Sequence, residues 1–254
     1  MKLLLSTVFL FLMTSFYAPD TVLTRFKVPA GYRQVPAVQG SFAAWLQNYP
    51  LKPVGTPTLN YLGNIARTNA YTAAVLNISV GTKDLQQCAD AVIRLRAEYL
   101  FSKKDYKAIS FDFNSGFKCD FVHFAEGYRY QQSGHWKLQG KKDYSYESFS
   151  RYLTLVFSYA GSIALDKQMT KVADVNDLKT GDVFIKGGSP GHCFIVMNVA
   201  RNASKRKVFL LAQSYIPAQD IQILKGNSAW FSLDQAVNIP YGELVKATYL
   251  KRFD

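Results

Sequence analysis

Cysteine and histidine are scarce in this chain of 254 residues, with three of each. No Cys-x-x-Cys pair occurs, and His123-Phe-Ala-Glu126 is not a two-histidine zinc motif. No metal and no cofactor is therefore expected. An odd number of cysteines leaves at least one thiol unpaired within a monomer. Cys88, Cys119 and Cys193 allow three pairings, and a Cys119–Cys193 bridge would leave Cys88 free. Acidic residues are also few, 18 against 30 Lys and Arg, a formal net charge of +12. Beyond the first eighteen residues no apolar run approaches membrane-spanning length. Internal repeats and low-complexity linkers are absent, so no internal boundary is drawn. No nucleic-acid-binding motif is present, and nucleic acid is not an expected partner.

The N-terminus departs from this pattern. Lys2 precedes an almost unbroken apolar run, Leu3 to Met13, and Thr14 to Ala18 is more polar. This reads as a secretory signal peptide, residues 1–18, cleaved after Ala18. Phe16 is large for its place before that site and leaves an uncleaved anchor as the alternative. The expectation is an exported protein of the periplasm or cell envelope. Its mature part, residues 19–254, is read as a single α+β domain without a membrane span. Basic clusters at Lys103-Lys104, Lys141-Lys142 and Lys205-Arg206-Lys207 suit either a solvated surface or attraction to acidic envelope polymers.

Hydrophobic spacing then orders the chain. Ser41 caps a short helix to Gln47. Thr72 to Val80 reads as a buried strand. A helix runs over 85–101, with Asp84 as N-cap and Gln87 completing a capping box. Tyr106 to Phe113 alternates as a strand, and Glu147 to Met169 repeats at helical spacing. Strands at 182–186, 192–199 and 207–213 form a meander. The fold expected is a helix packed on an antiparallel sheet.

The chemistry concentrates in two segments. Asp84-Leu-Gln-Gln-Cys88-Ala-Asp90 puts a cysteine in the opening turn of a helix, where orphan N–H groups and the helix dipole favour a thiolate. Leu85, Cys88, Val92, Leu95 and Tyr99 also share one helical face, so a small core cysteine is the competing reading. Gly181-Asp-Val-Phe-Ile185 followed by Pro190-Gly-His192 puts a histidine at a strand entrance, where partial exposure would suit a general base. On strict alternation His192 shares a face with Phe194, Val196 and Asn198, and Cys193 takes the other. A third group must orient the imidazole. Gln213, at the polar end of the next strand, is the candidate, with Asn198 and Asp220 in reserve. Asp90, Arg94 and Glu98 form an i, i+4 ladder. Tyr128, Tyr130, Trp136, Tyr144 and Tyr146 either fill the core or stack on sugars or peptides.

Several stretches resemble an exported bacterial family, the domain of unknown function 4846. They are Gly40-Ser-Phe-Ala-Ala-Trp-Leu46, Asp84 to Asp90 with Arg94 to Leu100, Gly181 to Ile185 with Pro190 to His192, and Ala212-Gln-Ser-Tyr215 with Pro217-Ala-Gln219. That resemblance implies no activity. A cysteine at a helix start followed by a strand histidine resembles the chain order of papain-like cysteine hydrolases. Gly-Asp-Val-Phe with Gly-His is similar to the histidine region of NlpC-type cell-wall peptidases. This likeness implies Cys88 as nucleophile, His192 as base and Gln213 as orienter, acting on peptidoglycan peptide or another envelope polymer. The chain departs from the likeness in having Gln-Gln-Cys-Ala where those enzymes carry an Asp-Cys-Ser/Gly motif. A non-catalytic envelope protein that binds peptide or glycan is the alternative.

Overall fold

The computed structural model describes residues 19–254, and the expected signal peptide lies outside the described residues. Helices are α1 (Val22–Arg25), α2 (Phe42–Gln47), α3 (Cys88–Ser102), α4 (Phe121–Ala125), α5 (Tyr146–Tyr159) and α6 (Ser162–Gln168). Strands are β1 (Tyr32–Gln34), β2 (Thr72–Val75), β3 (Ser110–Asp112), β4 (Lys118–Asp120), β5 (Tyr128–Gln131) and β6 (His135–Leu138). The later strands are β7 (Thr170–Lys171), β8 (Val183–Lys186), β9 (His192–Asn202), β10 (Lys207–Gln213), β11 (Gln222–Leu224) and β12 (Leu250–Arg252). The architecture is α+β. Its main sheet runs β2-β11-β10-β9-β8-β12-β7, with β1 paired to the far end of β9. Every pairing in it is antiparallel. Strands β3–β4 and β5–β6 form separate two-stranded ribbons.

The central strands are buried on both faces, which explains why β9 and β10 read as almost continuous apolar runs. One face carries Cys193, Ile195, Met197 and Leu210, packed with Ala91, Leu95 and Phe149 from the helices. The other carries Phe194, Val196, Phe209 and Leu211, covered by Phe231, Ile239, Leu244 and Val245 from the C-terminal segment. Full burial of each such Leu or Phe contributes roughly 1.5–3 kcal/mol. Among the described residues no helix is long and apolar enough to cross a membrane.

Several local expectations are corrected. The strand over 72–80 stops at Val75, because β11 offers only three residues to pair with; Asn77 N–H then bonds the Pro50 carbonyl at 2.9 Å, off the sheet. The strand over 106–113 shortens to β3, since Lys104 at φ 56° turns the chain into a one-turn helix at Tyr106–Ala108. The helix over 147–169 is two helices, α5 and α6, broken at Ala160-Gly161. Glycine is a poor helix former, and Gly161 lies against the Asn114 side chain. The break lets α6 turn onto β3 and β8.

Helix α3 begins at Cys88 with Gln87 as N-cap, not at Asp84. The Asp84 carboxylate is engaged elsewhere, accepting from Ala218 N–H at 2.6 Å and from Gln87 Nε2 at 3.3 Å. Asp90 takes the capping role, its Oδ2 accepting Gln87 N–H at 3.0 Å. Cys88 is thus the first residue of the helix. Of the charge ladder only Arg94–Glu98 forms, at 2.6 Å. Asp90 is buried at the cap instead.

Candidate functional site

Three elements converge at the head of α3. The helix brings Cys88, the entrance of β9 brings His192, and the end of β10 brings Gln213. The turn before β9 is as tight as its sequence suggests. A Cβ on Gly191 would collide with Ser162 Oγ and the Gly188 backbone, so only glycine fits between α6 and the turn. Register then pairs His192 with Lys186 and Cys193 with Ile185 across β8.

His192 Nε2 lies 2.7 Å from Gln213 Oε1. An amide carbonyl only accepts, so Nε2–H donates to it and Nδ1 is the ring nitrogen that Gln213 leaves free. Tyr241 stacks on the imidazole with centroids 4.7 Å apart and planes at 17°, and Phe194 meets it edge-on at 4.7 Å. His192 is consequently 2% exposed, where the strand entrance suggested partial exposure. Asn198 and Asp220 do not reach it. A register shift at Leu210–Leu211 leaves Met197 without a cross-strand partner, so strict alternation fails before Asn198. Asn198 accepts from Gln47 Nε2 at 3.0 Å and is also bonded to Gln34. Asp220 pairs with Lys52 at 2.9 Å and accepts Leu59 N–H at 3.1 Å.

Cys88 is 8% exposed and its thiol is free. A hydrogen bond from Cys193 holds its pKa far below the ordinary thiol value; burial opposes this, and a hydrogen bond and charge from His192 and the Ala89 N–H reinforce it. The partner moves the other way: the bond to Cys88 and complete burial raise the Cys193 thiol. Cys193 Sγ also lies 3.3 Å from the Cys88 carbonyl oxygen. Cys119 sits apart on β4 beneath α5, where Tyr152 donates to its carbonyl at 2.8 Å, and burial pushes its thiol up. No disulfide joins any of the three cysteines, so a Cys119–Cys193 bridge is not formed.

Cys88 lines an open cleft of about 810 Å³. Its walls come from the head of α3, the α5–α6 break, the 188–191 turn, Ile216 and Tyr241. A second cleft of about 620 Å³ holds Gln86, Arg94, Glu98 and Tyr146, and shares Leu85 and Phe157 with the first. None of Tyr128, Tyr130, Trp136 and Tyr144 lines the Cys88 cleft. Tyr130 packs on Phe113 and Phe117, and Tyr144 on Tyr106 and Phe121. Core packing therefore accounts for these two rings.

A family model for Domain of unknown function (4846) matches residues 22–251. The chain belongs to that family. No curated protein and no solved structure matches it. The family match spans α3, β9 and β10, and so includes the whole Cys88–His192–Gln213 cluster. Sequence reading missed the parts of Cys193 and Tyr241. Cys193 had a signal, lying beside His192 in the same motif. Tyr241 had little beyond Pro240-Tyr-Gly242, a turn in which Tyr241 adopts φ 60°.

Proposed function

We propose that this family member is an exported thiol hydrolase of the cell envelope that cleaves amide bonds with a papain-like Cys-His-Gln arrangement. One observation carries the reading: a free Cys88 thiol, whose pKa is held low by neighbours that include His192, lines an open cleft, and Gln213 anchors that imidazole. The likeness to NlpC-type peptidases makes a peptide amide of the wall polymer the preferred substrate.

Cys88 sulfur attacks the carbonyl carbon, forming a C–S bond. The Cys88 N–H, among the unpartnered donors of the helix start, faces the developing oxyanion. His192 Nδ1 holds the thiol proton and delivers it to the leaving nitrogen as the C–N bond breaks. Water, deprotonated by the same nitrogen, then opens the thioester to a carboxylic acid and restores the thiol. Gln213 keeps the imidazole in the tautomer and orientation this sequence needs.

The near-complete burial of His192 favours a second reading, a non-catalytic protein that uses the cleft for binding. Purified mature protein incubated with peptidoglycan-derived peptides separates the two. Cleavage that is lost in Cys88→Ala supports the hydrolase. Binding without turnover, and without an acyl adduct on Cys88, supports the binding protein.

A further inference from the structure

No bond-making or bond-breaking step of the proposed hydrolysis uses the Cys193 sulfur, yet that sulfur lies against Cys88. Cys193 Sγ lies 3.3 Å from the Cys88 carbonyl oxygen, so the two cysteines meet where α3 packs on β9. They differ in access. Cys88 lines the cleft, whereas Cys193 is 0% exposed between the sheet and α3. A small oxidant entering the cleft therefore meets the Cys88 sulfur first. Cys193 can react only with what Cys88 becomes.

We propose that Cys88 and Cys193 form an oxidisable dithiol, in which a hydroperoxide oxidises Cys88 and Cys193 closes it to an internal disulfide. The Cys88 thiolate attacks one peroxide oxygen; an S–O bond forms, the O–O bond breaks, and the other oxygen leaves with a proton as water or an alcohol. Sulfur loses two electrons and the peroxide gains them, giving a sulfenic acid. Cys193 sulfur then attacks the sulfenic sulfur. The S–S bond forms, the S–O bond breaks, and the hydroxyl leaves as water with the Cys193 proton. Cys88 is thereby protected from further oxidation and is recovered by a thiol reductant. This chemistry does not depend on the hydrolase reading, because it needs only the two sulfurs and a peroxide.

The test uses the reduced mature chain, hydrogen peroxide and N-ethylmaleimide, with peptide mapping under non-reducing conditions. The expected product is a Cys88–Cys193 cross-linked peptide pair, with Cys119 still labelled as a free thiol and full reversal by dithiothreitol. In Cys193→Ser the cross-link is lost, and Cys88 is found as a dimedone adduct or as sulfinic acid. Wild-type protein in which Cys88 reaches sulfinic acid while Cys193 stays free would overturn the proposal. So would a Cys88 that peroxide leaves untouched, or a cross-link that includes Cys119. The wild-type mapping decides the matter even if Cys193→Ser does not fold.

Discussion

Gln213 Oε1 stands 2.7 Å from His192 Nε2, across two neighbouring strands of one sheet. Both side chains are essentially inaccessible, so the bond is made between groups that water cannot serve. That relationship fixes the imidazole through Nε2, and the pKa of Cys88, lowered in part by His192, makes its consequence testable.

The first test is thiol reactivity. A thiol whose pKa is lowered is already ionised at mildly acidic pH, so iodoacetamide should alkylate Cys88 faster than Cys119 or Cys193 near pH 6.5. Its rate should be nearly level from about pH 6 to 8, while the denatured thiols climb about tenfold per unit toward their ordinary pKa of about 8.5. His192→Ala should slow Cys88 labelling. Equal labelling of the three thiols in folded, reduced protein would contradict the described environment.

Gln213→Ala removes the acceptor for a buried ring N–H. Leaving that group unpaired should destabilise the protein by about 1–3 kcal/mol, read from denaturant unfolding. It should also slow Cys88 alkylation, as the imidazole loses its orientation. A variant with wild-type stability and wild-type alkylation would show that the bond orients nothing.

Asp90 supplies a pH prediction. Burial raises its folded-state pKa, while in the unfolded chain it titrates near the ordinary value of about 3.9. Above that value the unfolded state has released its proton and the folded state still holds it. Wild-type stability should therefore fall as pH rises, by up to about 1.4 kcal/mol per unit, until the folded carboxyl ionises. Asp90→Asn keeps an acceptor for Gln87 N–H and carries no such dependence. The Tm advantage of Asp90→Asn over wild type should grow as pH rises above about 4, and a constant difference would contradict it.

Gly191→Ala tests the turn. Its methyl would meet Ser162 Oγ and the Gly188 backbone, so either the turn or α6 must shift. Overpacking of this kind costs typically 1–3 kcal/mol, and here the shift occurs one residue from His192. Lower Tm together with slower Cys88 alkylation is expected. Ser162→Gly in the same chain should restore part of both, because it removes one of the two obstacles.

The candidate residues were legible because their signals are local. A helix-start cysteine, a histidine behind Pro190-Gly191 and a polar residue closing an apolar strand each follow from short-range pattern. So does the meander, because β8, β9 and β10 are consecutive and pair with their neighbours. What the sequence alone determined is therefore the choice of Cys88, His192 and Gln213 as candidates and an α+β chain with antiparallel strands. Tertiary structure decided the rest. Asp84 ceased to be the helix cap because Ala218, far along the chain, claims its carboxylate. Asn198 left the His192 side because a register shift depends on how β10 lies against β9. Cys193 became a partner of Cys88, and Tyr241 a cover for His192, through contacts between segments distant in sequence. Local patterns report local hydrogen bonding and the period of burial; which thiol meets which, and which ring is sealed from water, are set only when the helix, the sheet and the C-terminal segment pack together.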